Sequence, residues 1–208
     1  GLRVASFIMQ EGGKPTPDKL TTVAELANDT LTHVTSVPGE WTALLRTISR
    51  NYKYSFADQM LIHAQRPDAR ACAEYSVWTE RMRRYVRRGA KGIALVDNSG
   101  DAPLLRYVFD VSDTGERRNS RPFRPWAVAN LAEVQLGLKQ DFGAEGEWLS
   151  SQLRDAARYL AEMNFVAHRH DIRDIVDGSL MAGYDDDELR ASFVRATTTS
   201  TAYALISR

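Results

Sequence analysis

Apolar residues recur at helical spacing from Asp18 to about Val34, through Leu20, Val23, Leu26, Ala27 and Leu31, and "SVPGE" ends that run. Glu40 to Arg50 carries Trp41, Leu44, Leu45 and Ile48, an i, i+3, i+4, i+7 stripe that predicts a second helix. Ser55 is placed to cap a third, with Phe56, Met60, Leu61 and Ala64 on its inward side and Pro67 marking its end. "RACAEY" reads as a short strand or extended link. The pattern then predicts a fourth helix, from a Ser76 cap through Val77 to about Arg88, with Gly89 as its stop. On that helix Tyr75, Trp78, Met82 and Tyr85 would share an inner face, with Arg81, Arg84 and Arg88 in a stripe beside it and Arg83 and Arg87 behind.

The period changes after Lys91. Two β-branched and aromatic runs flank Asn98-Ser99-Gly100-Asp101, the signature of a β-hairpin. In its second strand Leu105, Tyr107, Phe109 and Val111 fall on one face. "SDTGERRNSRPFRPW" is polar and proline-bearing and reads as a long loop or linker. Beyond Trp126 the texture is helical, with candidates over about 127–140, 147–167, 170–181 and 186–206. The expected fold is therefore α+β: helices packed on a small antiparallel hairpin or sheet, followed by a helical C-terminal portion. Residues 1–17, with Gly12-Gly13, Pro15 and Pro17, read as a flexible arm or a remnant outside the fold, 18–126 as the front domain and 127–208 as the helical region.

Composition changes this picture little, but charge changes it sharply. The 208 residues hold 27 bases and 27 acids. Residues 46–91 nevertheless carry eleven bases against four acids, and six of those bases fall between Arg81 and Lys91 with no acid among them. Like charges at helical spacing repel, so a segment that concentrates them points to a polyanionic partner. Arginine forks bind phosphate oxygens and stack on bases. "NYKYSF" and "RYVF" add Tyr52, Lys53, Tyr54, Phe56, Arg106, Tyr107 and Phe109, and interleaved bases and aromatics are what a single-strand groove requires. The candidate DNA contacts are Arg81, Arg84, Arg87, Arg88, Lys91, Lys53 and Arg106 for phosphates, with Tyr52, Tyr85 and Tyr107 for stacking.

Chemistry of other kinds finds no constellation. His168 and His170 are spaced i, i+2 and read as a polar helix junction rather than metal ligands, and His63 reads as a packed histidine. "GAKG" is too short for a phosphate loop, and Asp185–Glu188 reads as a helix start. No catalytic residue, metal site or cofactor is assigned. One cysteine, Cys72, and no recognisable export signal lead to the expectation of a cytoplasmic protein, and no apolar run is long enough for a membrane span.

Three phrases, "NYKYSFADQMLIHAQ", "VWTERMRRYVRRGAKGIALV" and "RYVFDVSDT", resemble in order and spacing the N-terminal domain of ArdC-type antirestriction proteins. The matching positions are Asn51, Phe56, Leu61, Gln65, Trp78, Gly89, Lys91, Gly92, Phe109, Asp110 and Thr114, with Asp113 where the family more often has Gln. The resemblance covers about residues 38–126 and implies a non-catalytic single-stranded-DNA-binding module of a mobile genetic element. In that reading Asn51, Gln65, Trp78 and Asp110 hold the local architecture. The helical remainder is similar to a segment found in very large proteins of integrative conjugative elements, which continue into helicase-like and methylase-like regions. The family's His-Glu-x-x-His peptidase motif is absent here, so no peptidase activity is carried over. Two other readings accompany the first. One is an inhibitor that binds a host defence nuclease through its acidic half, since residues 141–208 hold twelve acids and seven bases. The other is an accessory domain of a larger DNA helicase or methylase.

Overall fold

The computed structural model describes residues 17–208, so the arm expected over 1–17 lies, but for Pro17, outside the described residues. These divide into two compact units, with the boundary between Pro125 and Trp126. The fold is mixed helix and sheet, with a small antiparallel sheet in the first unit and helices throughout the second.

The first unit opens with three helices: α1 (Pro17–Ser36), α2 (Glu40–Arg50) and α3 (Phe56–Gln65). The Trp41–Leu44–Leu45–Ile48 stripe of α2 explains its placement: Leu44 is fully buried with Val34 and Met60, and Trp41 and Ile48 pack around them. Ser55 caps α3 by accepting from Asp58 N (3.2 Å). The strands follow as β1 (Cys72–Glu74), β2 (Tyr85–Val86), β3 (Ile93–Asp97), β4 (Leu104–Asp110) and β5 (Thr114–Gly115). β3 and β4 form the expected hairpin, and β1 pairs with the other edge of β4, giving a three-stranded antiparallel sheet in the order β1-β4-β3. Its inner face, Ile93, Leu95 and Val108, packs on Leu61 and Ile62 of α3 and Val23 and Ala27 of α1. Each fully buried Leu, Ile or Val contributes about 1.5–3 kcal/mol, which makes this cluster the main fastening of helices to sheet.

The segment expected as a fourth helix is not one. Val77–Arg81 forms a single wide turn closed by Met82 N donating to Val77 O (2.9 Å), and Arg84 N then reaches back to Trp78 O (2.8 Å). Arg83 is left-handed at φ 55°, and the chain runs into β2, which pairs antiparallel with β5. Helical periodicity is overridden here by tertiary anchors. Trp78 is buried and donates from Nε1 to Phe109 O (2.8 Å), and Arg84 is drawn inward to Thr114. Extension also relieves the repulsion that five arginines would feel on one helix.

The second unit contains α4 (Leu131–Phe142), α5 (Leu149–Ala167), α6 (Arg169–Val176) and α7 (Asp186–Ile206). Asn130 caps α4, Gly143 at φ 63° stops it, and Asp185 and Glu188 cap α7 reciprocally. Helix α5 packs against the other three. Its buried Ala156, Ala157 and Ala161 keep side-chain bulk low, and Phe165 meets Val176, Leu189 and Phe193.

Candidate nucleic-acid interface

Pairing of β2 with β5 folds the basic segment onto the chain that follows β4. Tyr85 lies opposite Gly115 so closely that a Cβ there would come within 2.3 Å of the tyrosine ring, so any side chain at this position would push the exposed ring aside. Arg117 covers the same ring at 5.9 Å. Ser120 Oγ donates to Arg83 O (2.6 Å) and Arg121 N to Met82 O (2.9 Å), so the loop after β5 lies back along the basic segment. Arg87 N donates to Asp113 O and its guanidinium to Ser112 O (3.1 Å). A tight turn follows, with Ala90 N donating to Arg87 O and Gly89 at φ 82°, and it presents Arg88 and Lys91 before the chain enters β3.

Eight bases are exposed in this assembly: Arg81, Arg83, Arg87, Arg88, Lys91, Arg117, Arg118 and Arg121. Among the described residues no carboxylate forms an ion pair with any of them. Arg117, Arg118 and Arg121 were not among the sequence candidates. Their signal is the run "GERRNSR", which stands out once its neighbour β5 is known to be the partner of the basic strand.

Two expected phosphate ligands turn out to be internal. Arg84 is 7% exposed; its Nε donates to Thr114 Oγ1 (2.7 Å) and its Nη1 to Glu116 (2.7 Å). Arg106 points to the helical side of the sheet, where it pairs with Asp58 (2.6 Å) and lies 5.8 Å from the Tyr54 ring. The reason is alternation: Arg106, Val108 and Asp110 face inward, which sends Leu105, Tyr107 and Phe109 to the other face. Tyr52 and Lys53 are exposed, with Lys53 Nζ 5.8 Å from the Tyr52 ring. They occupy the α2–α3 turn, on the helical layer rather than the β2–β5 edge.

The positions carrying the family resemblance are mostly built into the backbone. Asn51 is buried; Nδ2 donates to Thr47 O (3.2 Å), and Oδ1 accepts from Cys72 N (3.3 Å), tying α2 to β1. Gln65 pairs both amide atoms with the main chain of Ala94 (2.9 Å each), satisfying the open edge of β3. Asp110, 1% exposed, accepts from Arg70 N (2.7 Å), Ala71 N (2.8 Å) and both N and Oγ of Ser112 (2.9 and 2.5 Å). Burial would raise its carboxyl, but these hydrogen bonds outweigh burial and hold it below the usual carboxylate range. Thr114 accepts from Arg84 and donates to Val111 O (2.7 Å). Asp113 takes Arg66 Nη1 (2.6 Å) and Asp110 N (3.1 Å), so the residue that departs from the family pattern is itself engaged in the fold. Phe56 is exposed at the start of α3.

Burial shifts several other titratable groups of the first unit. Burial pushes the Cys72 thiol up to about 12, away from thiolate character. His63 is buried with Nδ1 3.0 Å from Thr47 Oγ1, and burial lowers its pKa. Burial also raises the Asp58 carboxyl even with Arg106 against it. His168 Nδ1 lies 3.5 Å from Asp171 at the α5–α6 junction. No cluster of three or more His, Cys, Asp or Glu side chains among the described residues is arranged to hold a metal, and no described helix is long and apolar enough to cross a membrane. Compared with protein-family models, curated proteins and solved structures, the chain matches none.

Proposed function

We propose that the first unit is a non-catalytic module that binds single-stranded DNA, in the mobile-element setting implied by the resemblance of residues 38–126, either alone or as part of a larger helicase or methylase. The observation that carries this reading is the gathering of eight exposed bases, none of them ion-paired among the described residues, from two distant stretches beside exposed aromatic rings. Cations held in a fixed array meet the phosphate backbone, and rings meet base faces that only an unpaired strand exposes. The acid-driven alternative rests on the twelve acids of residues 141–208, of which Asp186, Glu162 and Glu145 are paired with bases of their own unit.

Fluorescence anisotropy with labelled single-stranded and duplex oligonucleotides of equal length tests the proposal. Tighter binding to the single strand is expected. Absence of binding to either at low salt contradicts it and directs attention to a protein partner such as a host defence nuclease.

A further inference from the structure

The face of the three-stranded sheet opposite the helices carries Tyr107 and Phe109 on β4, with Tyr75 just beyond β1. Tyr75 is 58% and Tyr107 44% exposed, and Phe109 is half-buried beside them. The Tyr75 and Phe109 rings meet at 6.3 Å and 71°, forming a corner rather than a flat stack. Trp78 holds the Phe109 main chain through its hydrogen bond to the Phe109 carbonyl. Gly92 faces these rings: a Cβ there would lie 3.2 Å from Tyr107 Cβ and 3.3 Å from Phe109 Cζ. The strand that carries these rings is therefore anchored through its main chain, and they are bordered by a residue with no side chain of its own.

We infer that this sheet face is a base-stacking platform on which Tyr107, Phe109 and Tyr75 receive unpaired DNA bases, while the Arg87–Lys91 turn holds the adjoining phosphates. The inference rests on the single-strand reading above and adds the place where the bases go. Charge complementarity selects the occupant. The turn bearing Arg87, Arg88 and Lys91 leads directly into Gly92, so the phosphate-binding cations adjoin the aromatic face along the chain. Spacing selects an unpaired strand. Side chains two residues apart on a strand stand about 7 Å apart. That is roughly twice the 3.4 Å stacked rise along one strand of a duplex. Bases lying on both Tyr107 and Phe109 must be pulled off one another, which a single strand permits and a duplex does not. Ring stacking tolerates any base, so the platform takes single strands with little sequence preference.

Anisotropy with the full chain and a wild-type-length oligonucleotide, compared with the same oligonucleotide made abasic at its central positions, separates phosphate from base binding at constant charge. The abasic strand is expected to bind about tenfold or more weakly. Tyr107→Ala should erase most of that difference, Tyr107→Phe should keep it, and Tyr75→Ala should reduce it. Both tyrosines are exposed, so melting curves should show all three variants folded. Equal binding of intact and abasic strands by the wild type overturns the platform while leaving phosphate-driven single-strand binding in place. Failure to bind either strand overturns the single-strand reading, and the platform with it.

Discussion

The two units arrange positive charge differently, although the helical unit too leaves Arg154, Arg158 and Arg195 exposed and in no ion pair among the described residues. In the helical unit Arg169 and Arg173 share Asp186, Arg190 meets Glu162 (2.8 Å) and Lys139 meets Glu145 (3.0 Å). In the first unit the arginines divide. Arg66, Arg84 and Arg106 are paired with Asp113, Glu116 and Asp58, while eight bases stay exposed and in no ion pair among the described residues. A chain of zero formal charge thus acquires a strongly positive edge, and the fold rather than the composition creates it.

If the inward groups serve the fold and the outward ones the ligand, their substitutions must separate cleanly. The largest effect belongs to Asp110→Ala, which strands the amides of Arg70, Ala71 and Ser112 in a buried site. A loss of about 3 kcal/mol or more in a urea melt is expected. Because the folded carboxyl titrates below its unfolded value, its contribution is complete above about pH 4 and disappears as pH falls through the folded value. The wild type should therefore weaken on acidification, and Asp110→Asn should give a flatter profile over that range.

Next comes the contrast between two arginines four residues apart. Arg84→Met should cost about 2 kcal/mol of stability, since it leaves Thr114 and Glu116 without their donor. Arg88→Met should leave stability within about 0.5 kcal/mol and weaken single-strand binding several-fold. Reversal of that order would dissolve the distinction between inner and outer cations. The smallest effect is expected at Arg83, where a non-glycine residue holds φ 55°. Arg83→Gly should raise stability by about 0.5–1 kcal/mol while lowering DNA affinity slightly, so that stability and binding move in opposite directions.

Local signals made much of the fold legible. The α2 stripe, the Ser55 cap, the β3–β4 hairpin and the Asp185 start of α7 each depend on residues close in sequence. The failures are non-local. Tyr75, Trp78, Met82 and Tyr85 have helical spacing, yet Trp78 is held by Phe109 and Arg84 by Thr114, thirty or so positions away. The same pairing joins Arg117, Arg118 and Arg121 to the basic segment, which no window around Arg81–Lys91 reveals. "RYVF" supplies both Arg106 and Tyr107 as candidates, and strand alternation places them on opposite faces. The shared face of Leu105, Tyr107 and Phe109 is legible from alternation alone, whereas the Asp58 partner that holds Arg106 on the other side is not.

The most direct measurement is the salt dependence of single-strand affinity compared with that of an equal-length duplex. If four to six of the eight outer bases engage phosphates, the log–log slope for the single strand should be about −3 to −4, at about 0.7 per contact. The single strand should remain the tighter ligand across the titration. A slope near zero, or a duplex bound as tightly as the single strand, would contradict the assignment of this edge to single-stranded DNA.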